Sequence, residues 1–115
     1  MPTSNGKRFH GLTQEEIFEI ASYQNFRCAI TNVNFEIRDG VIYDPTMPNG
    51  AWFKRVSVDH DHQTNVIRGL LIQKANWLID QWDLGSYGSL TIPAEILSYK
   101  ANPPAVQAIG QRIWR

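Results

Sequence analysis

Cysteine is nearly absent from this sequence, since Cys28 is the only one among 115 residues. A lone cysteine excludes a disulfide within the chain and any zinc site built from several cysteines of one chain. It suits a reducing compartment. No apolar run approaches the roughly 18 residues that a membrane-spanning helix needs, and no signal peptide is recognisable. These features are compatible with a reducing cytoplasm and do not establish it.

An excess of charge of one sign is also missing, because eleven basic residues balance eleven acidic residues. This balance argues against a protein that coats nucleic acid by charge alone, and it leaves any phosphate binding to local basic clusters. A hydrophobic content of 43% is typical of a globular chain. We expect a flexible N-terminal arm over residues 1–11 and a single domain over residues 12–115.

Local patterns place helices at both ends of the chain and strands between them. Thr13 and Glu16 have the spacing of a capping box, which predicts a helix to about residue 25. The turn residues Asp39 and Gly40 lie between two short strand-like runs and indicate a hairpin. Prolines at the start of two later segments predict helices over residues 93–100 and 105–114. The mixture predicts an α+β fold.

The most informative stretch is residues 56–84. A strand with Val56 and Val58 runs into Asp59-His60-Asp61-His62, and an asparagine-containing turn leads to a second β-branched run over residues 66–72. The period then changes to that of a helix. Four apolar residues share the expected buried face of this helix: Ala75, Leu78, Ile79 and Trp82. Three polar residues share the opposite face: Asn76, Asp80 and Asp83.

In this stretch the chain resembles the HNH, or ββα-metal, nucleases, and most closely the phage recombination endonuclease VII family. The motifs that carry the resemblance are the sequence DHDH at 59–62, the sequence VIRGLL at 66–71 and an asparagine, Asn76, near the start of the helix. Weaker matches frame it at residues 28–30 and 102–105. The resemblance implies a ββα-metal core over residues 56–84, flanked by an N-terminal helix, a small hairpin and C-terminal helices.

The resemblance also implies an activity, that of a metal-dependent DNA endonuclease of a phage in the bacterial host cytoplasm. His60 would be the general base that activates water, with His62 near the phosphate. Asp59 and Asn76 would hold one Mg²⁺ or Mn²⁺. These residue types suit the chemistry, because an imidazole is largely neutral at physiological pH and hard ions prefer a few oxygen ligands plus phosphate oxygens. Asp80 is a further candidate ligand.

Basic residues near the motif are candidates for binding nucleic acid. Lys54 and Arg55 form the only adjacent basic pair in the interior of the sequence, and Arg68 and Lys74 lie close to the motif. These four positive charges predict a track for the phosphate backbone. Ordinary solvated charge is the competing interpretation.

The chain departs from the resembling family at its zinc site. Family members typically bind zinc with two C-x-x-C pairs, whereas this chain has Cys28 with Thr31 and Ile72 with Ala75 at these positions. A four-thiolate site cannot form. We therefore expect no structural zinc, with apolar packing in its place.

Two other functions compete with the nuclease. One is a catalytically inactive nucleic-acid-binding module with the same fold. The other is a small zinc or transition-metal protein that uses His60, His62, Asp59 and Cys28. A homodimer is possible for an enzyme that cuts both strands, with Ile113 and Trp114 as candidate contacts.

Overall fold

The computed structural model describes residues 9–47 and 55–115, which form an α+β fold with four helices and two antiparallel hairpins. In chain order the elements are α1 (Gln14–Tyr23), β1 (Glu36–Arg38), β2 (Val41–Tyr43), β3 (Ser57–His60), β4 (Ile67–Leu71), α2 (Gln73–Asp83), α3 (Ala94–Ala101) and α4 (Pro104–Ile109). Within these residues no helix is long and apolar enough to cross a membrane.

The helix start and both hairpins that the sequence predicts are present. Thr13 Oγ1 accepts from the backbone N–H of Glu16, and the Glu16 side chain accepts from the backbone N–H of Thr13, so the capping box is complete. Strands β1 and β2 pair around the turn at Asp39 and Gly40. In the second hairpin, Asn65 takes the left-handed backbone conformation, with a φ of 62°. Asp61 caps this turn by accepting from the backbone N–H groups of Gln63 and Thr64.

Strands β3 and β4 and helix α2 follow one another and pack together. Strand β4 is buried along its whole length, and Ala75 and Ile79 turn the apolar face of α2 toward the same core. Cys28, Ile72 and Ala75, which occupy zinc-ligand positions of the resembling family, are all buried in this core. Their burial fits the expectation that apolar contacts hold this part of the fold.

The last predicted helix is wrong in its second half. Helix α4 ends at Ile109, and the chain then turns back beside the second hairpin. The backbone N–H of Ile67 donates to the carbonyl of Arg112, and that of Trp114 donates to the carbonyl of Asn65. The apolar residues within 105–114 favour a helix by their spacing. Residues 112–114 instead form backbone hydrogen bonds with the edge of the second hairpin.

The described part of the predicted N-terminal arm packs against the body of the domain. Phe9 and Leu12 exchange backbone hydrogen bonds across a tight turn, and Phe9 packs against the hydrophobic core. Residues 9–12 are thus packed with the rest of the described domain. Lys54, one of the predicted nucleic-acid contacts, lies outside the described residues.

Candidate active site

The register of the second hairpin shifts between the two central motif residues. Asp59 lies opposite Gly69, whereas His60 lies opposite Ile67, so Arg68 is an extra residue in β4. Such an irregularity bends a strand and redirects its side chains. Asp59 faces the interior with 1% of its surface exposed, while His60 faces an open groove.

This groove has a volume of about 650 Å³ and brings together several of the predicted site residues. It is lined by His60 from β3, by Asn76 and Asp80 from α2, and by Arg55. The i to i+4 spacing of Asn76 and Asp80 places both on the same face of α2. Asp59, His62, Arg68 and Lys74 are not among the residues that line it. His10 and Trp114, which lie far from the motif in sequence, also line it.

Asp59 is held in a buried network of hydrogen bonds. Its Oδ2 accepts from Arg68 Nε at 2.8 Å and from the Tyr99 hydroxyl at 2.7 Å, whereas its Oδ1 accepts only from Arg68 Nη2 at 3.2 Å. Burial raises the pKa of Asp59, and the Arg68 guanidinium opposes this shift. Burial also raises the pKa of Tyr99, which keeps its phenol protonated as a donor.

Glycine at position 69 allows this network to form. A Cβ built on Gly69 would lie 3.0 Å from the Tyr99 ring and 3.0 Å from Gln24 Oε1. The Tyr99 side chain from α3 therefore reaches Asp59 across the space that a side chain at 69 would fill. Gln24 uses the same space to bond both backbone groups of Leu70.

Arg68 is buried, whereas the predicted contact with nucleic acid requires an exposed side chain. It is 3% exposed, and its guanidinium binds Asp59 and, at 2.8 Å, Oδ2 of Asp83. A buried arginine in such a position does not present a surface to a phosphate backbone, so the predicted contact of Arg68 with nucleic acid is withdrawn. The physical reason is that two carboxylates in the core require a cation beside them.

Asp83 connects this buried network to the surface. Its Oδ1 accepts from Lys100 Nζ at 2.7 Å, and its Oδ2 lies 3.2 Å from Nδ1 of His62. Burial acts to raise the pKa of Asp83, but the hydrogen bonds from Lys100 and Arg68 outweigh it and lower that pKa below its usual value. His62 also lies 3.6 Å from Asp80, so two carboxylates flank this imidazole.

His60 is held by ring packing. Its imidazole stacks on the Trp114 indole with 4.2 Å between ring centroids and 19° between planes, and its centroid lies 4.9 Å from that of His62. Burial lowers the pKa of His60, and the neighbouring His62 lowers it further. The neutral form, which can accept a proton, is therefore favoured.

Two buried polar atoms in this region lack a hydrogen-bond partner in the structure: Asn76 Oδ1, an acceptor, and Arg68 Nη1, a donor. An unpaired buried acceptor costs roughly 1–3 kcal/mol, and either an ordered water or a bound ion would satisfy it. Asn76 Oδ1 together with the lightly bonded Oδ1 of Asp59 gives one amide and one carboxylate oxygen, a donor set that suits Mg²⁺ or Mn²⁺. These two donor types therefore suit the ion that the resemblance implies, while Asp59 itself is not among the residues that line the groove.

The alternative transition-metal site finds no support in the geometry. In residues 9–47 and 55–115 no group of three or more histidine, cysteine, aspartate or glutamate side chains converges on a common point that could hold a metal ion. Cys28 is a free, buried thiol of the hydrophobic core.

The remaining predicted contacts lie at or near the groove surface. Arg55 is exposed, and its guanidinium lies 5.4 Å from the centroid of the Phe9 ring, which places a positive charge at the groove wall. Lys74 is exposed in the first turn of α2. Trp114, a candidate dimer contact in the sequence, packs instead on His60 of its own chain, while Ile113 stays 44% exposed.

Comparison with known proteins finds similarity to two phage proteins. The chain is 36% identical over 104 residues to the "Gene 59 protein" of Mycobacterium phage D29 and 35% identical over 104 residues to the "Gene 59 protein" of Mycobacterium phage L5. Each match covers 90% of this chain and 52% of the relative, so the chain spans about half the length of the curated relatives it matches. No family model and no solved structure matches the chain.

Proposed function

We propose that this protein is a metal-dependent DNA endonuclease of the HNH type that hydrolyses phosphodiester bonds. The observation that carries the proposal is the groove that His60 of β3 and Asn76 of α2 both line, together with the buried, unpaired Oδ1 of Asn76. The order of strand, strand and helix over residues 57–83 supports a ββα-metal core. Similarity to two mycobacteriophage proteins supports a phage protein that acts in the cytoplasm of a bacterial host.

In this proposal each candidate residue in or near the groove has one task. His60, with its lowered pKa, accepts the proton of the attacking water. Asn76 and Asp59 hold the Mg²⁺ or Mn²⁺ ion, which when bound offsets negative charge on the phosphate and the leaving oxygen. Arg55 and Lys74 bind the phosphate backbone, with Lys54 as a further candidate. His62, flanked by Asp80 and Asp83, assists at the phosphate.

One observation favours a second function, a catalytically inactive nucleic-acid-binding module. Both carboxylate oxygens of Asp59 already accept from Arg68, and Oδ2 accepts from Tyr99 as well. If this network excludes the ion, the groove still offers Arg55 to a phosphate backbone but no hydrolysis follows. The same experiment separates the two functions.

The test is cleavage of supercoiled, linear and branched DNA with Mg²⁺ or Mn²⁺ by the wild type and by His60→Ala. We expect ion-dependent cleavage that falls by at least about 10²-fold in the variant, because a positioned general base contributes roughly 10²–10⁴-fold. Chelation of the ion should abolish cleavage. A wild type that binds these DNAs with a salt-dependent affinity and cuts none of them would establish the binding module instead.

The rate of cleavage should also depend on pH through His60. Protonation removes the base, so kcat/KM should fall as the pH is lowered, with an apparent pKa below the ordinary 6.5 of histidine because burial lowers it. A pH–rate profile on plasmid DNA at fixed ion concentration measures this value. An apparent pKa above 6.5 would contradict the assignment of His60.

A further inference from the structure

The imidazole of His60 lacks the polar partner that usually orients a general base. A catalytic base is normally fixed by a third group that bonds its other side. Within the described residues, however, no hydrogen bond or ion pair reaches the ring nitrogens of His60. The χ2 torsion of histidine has broad energy wells, so the ring plane is set only by what packs against it. The closest such contact is the Trp114 indole at 4.2 Å.

Trp114 is itself fixed by a pair of chain segments that we name the clasp, residues 9–12 and 112–115. The backbone N–H of Trp114 donates to the carbonyl of Asn65 at 2.8 Å, and that of Arg115 donates to the carbonyl of His10 at 3.2 Å. The His10 ring stacks on the indole with 4.8 Å between centroids and 12° between planes. The indole is therefore held through its backbone and through its ring.

Gly11 shows that the two segments of the clasp fit closely. Its φ of +91° lies in the left-handed region, and a Cβ built there would lie 2.6 Å from the carbonyl oxygen of Ile113. A residue with a side chain would push the two segments apart. The approach of residues 112–115 to the N-terminal turn thus depends on glycine at this position.

We propose that Trp114 is a positioning residue that holds the His60 imidazole in the orientation needed to accept a proton, and that the clasp exists to place it there. The inference rests on the proposed function. The indole is not a platform for a nucleobase, because two imidazole rings already lie parallel to it at stacking distance. Loss of the indole should therefore lower the rate of the chemical step and leave the binding of DNA unchanged.

The experiment compares Trp114→Ala and Trp114→Phe with Ile113→Ala, a control on the same segment whose side chain is 44% exposed. Nicking of supercoiled plasmid with Mn²⁺ gives kcat and KM. We expect kcat to fall about 10- to 100-fold in Trp114→Ala with KM unchanged, since small misplacements of catalytic groups have effects of this size. Trp114→Phe, which keeps a flat ring, should recover most of the rate, and Ile113→Ala should match the wild type.

A second readout does not need activity. The ring current of a stacked indole shifts the His60 ring protons upfield in the NMR spectrum. These shifts should be lost in Trp114→Ala and partly kept in Trp114→Phe, while the His62 ring protons stay nearly unchanged. If the wild type cuts no DNA, the proposed function fails and the spectrum alone tests the contact.

Three results would overturn the inference. The first is a Trp114→Ala variant that keeps the wild-type kcat. The second is a rise in KM with kcat unchanged, which would make Trp114 a contact of the substrate. The third is His60 ring protons that do not move in Trp114→Ala. Circular dichroism and thermal unfolding of each variant establish that the fold is retained, and Trp114→Phe carries the test if Trp114→Ala does not fold.

Discussion

Arg68→Ala is expected to lower the free energy of unfolding by about 3–5 kcal/mol, the range found when one partner of a buried ion pair is removed. The guanidinium is 3% exposed and binds both Asp59 and Asp83. Its removal leaves the charge of Asp59 in the core with only the Tyr99 hydroxyl beside it. A domain of this size has a total stability of roughly 5–15 kcal/mol, so the variant loses a large share of it.

Urea denaturation followed by tryptophan fluorescence measures this loss, with the slope of the transition as a check on two-state behaviour. The matched control is Arg38→Ala, which removes an exposed arginine whose Nε lies 3.5 Å from Glu36. Exposed pairs contribute about 0–1 kcal/mol. Equal losses in the two variants would mean that the Arg68 network does not hold Asp59 in place.

Arg68→Lys separates charge from geometry. Lysine keeps the positive charge but cannot form the two-pronged bond to Asp59 together with the bond to Asp83. We expect a loss of stability between those of the control and the alanine variant, measured by the same denaturation. A lysine variant as stable as the wild type would show that charge alone suffices.

The burial of Arg68 could be predicted from the apolar residues on both sides of it in the sequence. Residues 66–72 are all apolar or glycine except Arg68, a run that is typical of a strand buried on both faces. An arginine inside such a run must be buried with a carboxylate partner. The positive charge of Arg68 near the DHDH sequence instead favours an interpretation as a phosphate contact. The buried strand could be predicted, and so could the need of Arg68 for a carboxylate partner. The choice of Asp59 as that partner depends on the register shift, which no local pattern encodes.

Local features of the site were predictable because they depend on neighbours in sequence. The capping box at Thr13, the left-handed turn residue Asn65 and the apolar face of α2 all follow from spacing alone. The contacts that complete the site join residues far apart in sequence. Tyr99 reaches Asp59 across 40 positions, and Trp114 stacks on His60 from the far end of the described chain. Such contacts follow from packing in three dimensions.

The clearest separation of stability from function should appear in Asn76→Ala. Without divalent ions this variant should be more stable than the wild type by about 0.5–2 kcal/mol. It removes a buried acceptor that has no partner, and alanine is the better helix former inside α2. Cleavage, in contrast, should fall by at least about 10³-fold, because an ion that stabilises charge in the transition state contributes several kcal/mol.

The measurement is the thermal midpoint of unfolding with and without millimolar Mg²⁺ or Mn²⁺. An ion that binds only the folded state stabilises it by RT ln(1 + [L]/Kd), where [L] is the free ion concentration, and so raises the midpoint. The wild type should therefore gain stability with the ion, and Asn76→Ala should not respond. Gln81→Ala is the control, since Gln81 lies on the same helix but outside the groove and bonds only Ser86.

The pair of results also distinguishes a ligand from a packing residue. If Asn76 were structural, its replacement would lower stability and the ion would affect the wild type and the variant equally. A gain in stability together with loss of the ion response is expected only if the amide oxygen is kept unpaired for a ligand. The cost of the unpaired acceptor in the ion-free protein would then be offset when the ion binds, which links the Asn76 amide directly to the proposed chemistry in the groove.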